Sequence, residues 1–268
     1  AGAFDEALAQ AEKAFSIIET PDDRRQADLL WVKASALRGL GKWQQATSEY
    51  LKAFDRYEAL GAGAELLPMT CMLAEMLYYA ADHSRMVAIV QRALVATSDS
   101  PSAGRARLLA FGGSALAMSG RYAEGMVMSD SALAMATAIG DKEARAYVLG
   151  ERAAVLQNYG RVTESLAIAS ESYAVLAEGG KRWGALWSGA RLHWAYRYMG
   201  RARDVLAMEA DLLREAAEIG HVGAKLTIDT NLHVARWMTD PHVDIFATAA
   251  QRCARDYAEL GSWVELTR

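Results

Sequence analysis

Apolar residues in this chain recur three and four positions apart, and no segment alternates in the manner of a strand over a useful length. Leu109, Gly113 and Leu116 fall on one face of one segment, and Ala132, Ala136 and Ile139 on one face of the next. Turns interrupt these stripes at regular intervals. In each, a small residue or turn precedes an aromatic or apolar residue, with a mostly small residue three positions on. The copies read Gly2-Ala3-Phe4 with Ala7, Gly41-Lys42-Trp43 with Ala46, Ala81-Asp82-His83 with Met86, and Gly120-Arg121-Tyr122 with Gly125. They continue as Gly160-Arg161-Val162 with Ser165, Gly200-Arg201-Ala202 with Val205, and a degenerate Pro241-His242-Val243 with Phe246. The spacings are 39, 40, 39, 40, 40 and 41 residues.

A second set of turns lies halfway between: Leu60-Gly61, Ile139-Gly140, Gly179-Gly180, Ile219-Gly220 and Leu260-Gly261, with Ser98-Asp99-Ser100-Pro101 as the missing member. Glycine at such places suits a helix C-terminus, where the backbone turns left-handed. Two turns per period leave two segments of about 16 to 18 residues, rich in Ala, Leu, Met, Glu and Arg, which are good helix formers. Small residues recur where two helices approach closely. Ala34, Ala74, Gly113 and Ala153 share one repeat position; Ala53, Ala93, Ala132 and Ser172 share another. One such pair cannot bury its apolar face, so neighbours must stack.

The expected fold is all-α: a right-handed superhelix of six to seven stacked antiparallel helix pairs, the outer ones incomplete. The pairs fall at 1–20 (partial), 21–61, 62–98, 99–140, 141–180, 181–220 and 221–261 of a single repeat domain. Residues 262–268 start a further helix. The chain opens on Ala1 with what reads as the second helix of a pair, so a fragment of a larger protein is expected.

The pattern resembles the tetratricopeptide repeat, best in Ala34, Gly41, Trp43, Ala46, Tyr50 and Ala53. The period is about six residues longer than the usual 34 of that family. Longer repeats of this kind are similar to the tails of large bacterial regulators: LuxR-type activators of the maltose-regulator kind and ATPase-coupled class III adenylate cyclases. Gly261-Ser262-Trp263-Val264-Glu265-Leu266 resembles the small-x-Trp-Glu-Leu that opens a helix pair there. The resemblance implies a binding domain in a cytoplasmic bacterial protein of signal transduction or transcription regulation.

Composition narrows the function further. The 268 residues carry a net charge of −4, without the basic excess of a nucleic-acid-binding domain. No apolar run is long enough to span a membrane. Cys71 and Cys253 form no disulfide framework or zinc motif and read as reduced, partly buried thiols. Leu37 to Trp43 contains Gly-Lys but lacks the rest of a phosphate loop. None of His83, His193, His221, His233 and His242 lies in a metal-binding motif, and His193 reads as a satisfied interhelical histidine. Glu209, Asp211, Glu215 and Glu218, mixed with Arg201, Arg203 and Arg214, read as a solvated face with local ion pairs. The chain is therefore expected to be no enzyme, with no catalytic residue, metal or cofactor.

Binding is expected on the concave face, lined by the first helix of each pair. The repeat register places Trp31, Arg38, Tyr78, Arg107, Ser114, Tyr147, Gln157, Trp187, Trp194, Arg197 and Asn231 there. It also turns Glu75 inward. Aromatic and arginine anchors with small residues between them suit a protein segment or a small effector molecule. A homo-oligomer is compatible with this reading; direct nucleic-acid or membrane contact is not. The alternative is a passive scaffold or oligomerisation module without a small ligand.

Overall fold

The computed structural model describes residues 2–17 and 23–241, with isolated positions at 247, 251, 254, 255 and 258. Thr20-Pro21, the degenerate copy at 242–246, Cys253, Leu260-Gly261 and 262–268 lie outside the described residues.

The described residues form thirteen helices and no strand. They are α1 (Gly2–Ile17), α2 (Asp23–Gly39), α3 (Trp43–Ala59), α4 (Gly63–Tyr79), α5 (His83–Ala96), α6 (Ala103–Met118) and α7 (Tyr122–Ile139). Then come α8 (Lys142–Asn158), α9 (Val162–Glu178), α10 (Arg182–Tyr198), α11 (Ala202–Ala207), α12 (Glu209–Ile219) and α13 (Val222–Thr239). Helices pair in sequence, α2 with α3 through α8 with α9. The first helices also pack on one another, α4 on α6, α6 on α8, α8 on α10 and α10 on α13. They line the inside of a helical solenoid.

The turns follow glycine chemistry. Gly41, Gly61, Gly120, Gly140, Gly160, Gly180, Gly200 and Gly220 all have positive φ. Ala81 takes the same role at φ 56°, where a side chain is strained. Polar side chains start other helices: Asp82 accepts from the Arg85 amide, Ser102 from Arg105, and Asp141 from Glu143 and Ala144. The Ser98–Pro101 link is tied down by Arg105, which donates to the Leu94 and Ser98 carbonyls and to Asp99.

Small residues set the tightest crossing. A Cβ on Gly113 would lie 2.9 Å from the Gly125 carbonyl, and one on Gly125 would lie 2.7 Å from the Gly113 carbonyl. The same crossing in the fifth pair carries His193 and Val205, and there the second helix breaks at Met208 into α11 and α12. His193 is buried, but neither ring nitrogen finds a partner, which corrects the expectation of a satisfied histidine. The acidic face after it keeps local pairs, Asp211 with Arg214 and Arg201 with Asp204, and adds longer ones. Glu215 and Glu218 pair with Arg182, and Glu209 with Arg236, each on a neighbouring first helix.

The array closes on itself. A Cβ on Gly220, in the turn before α13, would lie 2.8 Å from the Gly39 carbonyl at the end of α2. One on Gly41 would meet Val222 at 3.0 Å, and one on Gly223 would meet Trp43 at 2.5 Å. One apolar core consequently runs from Leu30, Tyr50, Phe54 and Tyr57 through Leu73 to Trp187 of α10 and Leu226 of α13. Fully buried rings and aliphatic chains of this size each contribute about 1.5–3 kcal/mol.

Candidate functional site

Closure brings side chains from α2, α4, α6, α8, α10 and α13 onto the axis of the solenoid. Two carboxyls sit there almost without solvent: Glu75 is 7% exposed and Glu151 3%. A charge can be kept in such a place only with partners. Glu75 has them. Trp183 donates its indole N–H to both carboxyl oxygens at 2.9 Å each. Arg38 lies 3.7 Å away, and His221 Nε2 3.3 Å away. Arg38 also stacks over the Trp183 ring at 4.2 Å, and Trp183 stacks on His221 with centroids 3.9 Å apart. Burial pushes the Glu75 carboxyl up, and Arg38 and the Trp183 donor pull it back. His221 is held well below its ordinary value, first by burial and then by Arg38. Its Nδ1 accepts from the Ala224 amide, so the ring caps α13 in its neutral form.

Glu151 is less well provided. Burial raises its carboxyl, opposed by Arg191 and then by Ser114 and Trp187. Yet Glu151 Oε2, Ser114 Oγ and Trp187 Nε1 all lack a hydrogen bond of good geometry. Arg191 donates through one terminal nitrogen to the Tyr78 hydroxyl and lies over the rings of Tyr78 (4.5 Å) and Trp187 (4.7 Å). Arg107 lies over Tyr147 at 3.8 Å, and its Nε is unpartnered. Beside Arg107, Glu151 and Trp187 is a cavity of about 30 Å³, lined also by Glu75, Phe111, Tyr147, Trp183 and Gly184.

Of the sequence-derived candidates, Arg38, Tyr78, Arg107, Ser114, Tyr147 and Trp187 meet around this centre. Gln157 reaches it indirectly, donating to the Arg191 carbonyl at 2.9 Å. The others lie apart. Trp31 is half-buried, edge-on to Tyr57 at 5.8 Å. Trp194 is buried near Tyr198, with Arg197 over its ring at 5.0 Å. Asn231 is 1% exposed in α13, with neither side-chain polar atom partnered.

Sequence reasoning placed none of Glu151, Trp183 and Arg191 at the site, and it left His221 without a role. A signal for two of them was present. Phe111, Glu151, Arg191 and Asn231 occupy one repeat position, and Arg107, Tyr147 and Trp187 another. A column that places Glu and Arg inside otherwise apolar helices marks a buried polar position. Burial pushes the Cys71 thiol up to about 11, which leaves it unreactive. No described helix is long and apolar enough to cross a membrane.

A Rap protein in complex with competence and sporulation factor has the same architecture. It aligns with a TM-score of 0.72 over 91% of this chain and 68% of that chain, at 12% identity. TPR-like repeats of a Podosopora anserina kinesin light chain align with a TM-score of 0.50 over 72% and 95%, at 15% identity. BtubC from P. vanneervenii gives 0.48 over 91% and 94%, at 13% identity. The chain folds as a tetratricopeptide-like helical solenoid. This tetratricopeptide-like chain matches no protein-family profile, and no curated protein matches it in sequence.

Proposed function

We infer that this solenoid is a non-catalytic binding domain that takes a protein segment or a small effector on its inner face. One observation carries the reading: buried arginine, tryptophan and carboxyl groups surround a cavity on the axis and keep hydrogen-bonding capacity unspent. A purely structural core satisfies such groups or replaces them with apolar ones. The Rap neighbour, solved with a factor bound, supports the reading from the side of the fold. The parent is a cytoplasmic bacterial signalling or transcription-regulatory protein, on the strength of the resemblance to LuxR-type tails. Occupancy of the axis biases an attached effector through the closed seam between α2 and α13, because small rotations add along a solenoid. Direct contact with nucleic acid or membrane is not part of this reading, and self-association is compatible with it.

A thermal-shift screen against metabolites and peptide pools tests this. A ligand at about 100 times its dissociation constant stabilises by roughly 2.7 kcal/mol. The expected result is a raised Tm that shrinks in folded Trp187→Phe. If no compound shifts the protein, the inner-face reading falls and a passive scaffold takes its place.

A further inference from the structure

We propose that a cleft on the outer side of the fifth helix pair receives a guanidinium group, with Asp211 as its acceptor. The cleft shares no residue with the axial centre and takes a different class of ligand, so it stands whether or not the inner face binds.

The cleft has a volume of about 220 Å³ and lies between the second helices α9 and α12, over the start of α10. The fourth pair shows how it arises. Positions 40 residues apart correspond, so Ala185 and Asp211 stand where Arg145 and Glu171 stand one repeat earlier. There Arg145 reaches from α8 to Glu171 on α9 and pairs with it. In the fifth pair the acid is kept and the arginine is not. Ala185 is buried and contributes only a methyl group, and both Ala185 and Asp211 line the cleft. Among the described residues Asp211 pairs only with Arg214, three positions along its own helix. The preceding repeat thus displays the group that completes this position: a guanidinium reaching the carboxylate from the side of the first helix.

Charge, wall and floor agree with that group. Arg182 and Arg214 line the cleft together with Asp211 and Glu215, and Glu218 shares Arg182. That makes three carboxylates to two guanidiniums, a set that one monocation balances. Tyr173 of α9 forms one wall. Burial, followed by the Asp211 and Glu215 charges, holds its phenol above the ordinary value, so the ring lies in the field of both carboxylates. A cation is attracted to such a ring, and a guanidinium plane also stacks on it as an ammonium does not. Leu186 and Leu212, both buried, give the cleft an apolar floor for the methylene stem behind the charged head. The guanidinium can come from a free guanidino compound or from an arginine side chain of another protein.

The probes are butylguanidinium chloride beside its neutral counterpart butylurea, and an acetylated, amidated Gly-Arg-Gly tripeptide beside the same peptide with citrulline for arginine. Affinities are read by saturation-transfer NMR titration, below denaturing concentrations. The expected result is at least about fivefold tighter binding by a guanidinium than by its urea, as a charged hydrogen-bonded pair in a half-open cleft implies. Asp211→Asn, at an exposed position, should cut that preference to less than about twofold. Ala185→Arg rebuilds the pair of the fourth repeat from within the chain, so it should abolish binding while Tm holds or rises. The tighter of the two guanidinium probes identifies the source, a free compound or a partner's arginine. Ureas that bind as tightly as guanidiniums overturn the cation. A preference unchanged in Asp211→Asn overturns the role of that carboxylate. Binding retained in folded Ala185→Arg overturns the cleft as the place of binding, and binding by neither guanidinium overturns the proposal. The Asp211→Asn comparison decides the question even if Ala185→Arg does not fold.

Discussion

Arginines on the outside of the solenoid and arginines on its axis live under opposite rules. Outside, many find a carboxylate. Arg121 pairs with Glu124, Arg161 with Glu164 and Arg201 with Asp204, one local pair at the start of three successive second helices. Arg92 spans to Asp55 and Glu58, and Arg182 to Glu215 and Glu218. Inside, Arg38, Arg107 and Arg191 lie over the faces of Trp183, Tyr147, Tyr78 and Trp187. Arg107 and Arg191 keep nitrogens unspent although two carboxyls are nearby, while Arg38 lies 3.7 Å from Glu75. Solvent makes exposed pairs cheap to form and of little weight. Burial makes each inner group expensive unless completed. The outer charges organise a surface; the inner ones leave hydrogen-bonding groups unpartnered on the axis.

The largest test of this contrast is Glu75→Ala. It strands Arg38 and the Trp183 N–H inside the protein, and urea denaturation should show a loss of about 3–5 kcal/mol. Next is pH. Burial holds His193 at about 4 against an ordinary 6.5. The unfolded chain takes up its proton below about 6.5, and the native chain only near 4. Stability from this group is therefore complete above that range and drains as pH falls from 6.5 to 4, at up to ~1.4 kcal/mol per pH unit. Glu75 and Glu151, raised by burial, act with the opposite sign, losing stability as pH rises above the ordinary carboxyl range. The difference in urea midpoint between His193→Leu and the parent should widen steadily on acidification; a constant difference would show that the ring is not buried neutral.

Arg191→Met combined with Glu151→Gln removes one cation and one carboxyl from the centre at once. Its stability should equal the parent's or exceed it by about 1 kcal/mol, as when buried charges of opposite sign are replaced together by uncharged groups. A large loss would mean that the centre is structural. Arg92→Ala, on the half-exposed outer network, should cost less than about 1 kcal/mol, with the cost disappearing in ~1 M salt. The smallest effect belongs to Arg161→Ala, whose urea midpoint should not move measurably, because that pair is fully in solvent.

Much of this contrast was legible before any coordinates. The glycine turns, the small-residue positions and the helix lengths follow from a period that repeats along the chain. The outer pairs that open second helices are local, three residues apart, so they too can be read in line, while those of Arg92 and Arg182 join separate helices. The axial centre was only half legible. Arg107, Tyr147 and Trp187 emerged because the repeat register points them inward. Glu151 and Arg191, one residue further round their helices than Gly150 and Ala190, did not, since one residue rotates a side chain by about 100°. His221 and Trp183 take their roles from partners on helices far away in sequence. The unpartnered nitrogens of Arg191 are a matter of ångströms.

The sequence by itself determined an all-helical repeat, its turns and the faces that pack between neighbours, because each rests on residues close together in the chain. Only the tertiary structure decided that the array closes, joining Gly39 to Gly220 and Glu75 to Trp183. Closure depends on the sum of small rotations over six helix pairs, and a local pattern does not encode that sum. It is closure that turns an open inner face into a buried, charged centre with donors left unpartnered.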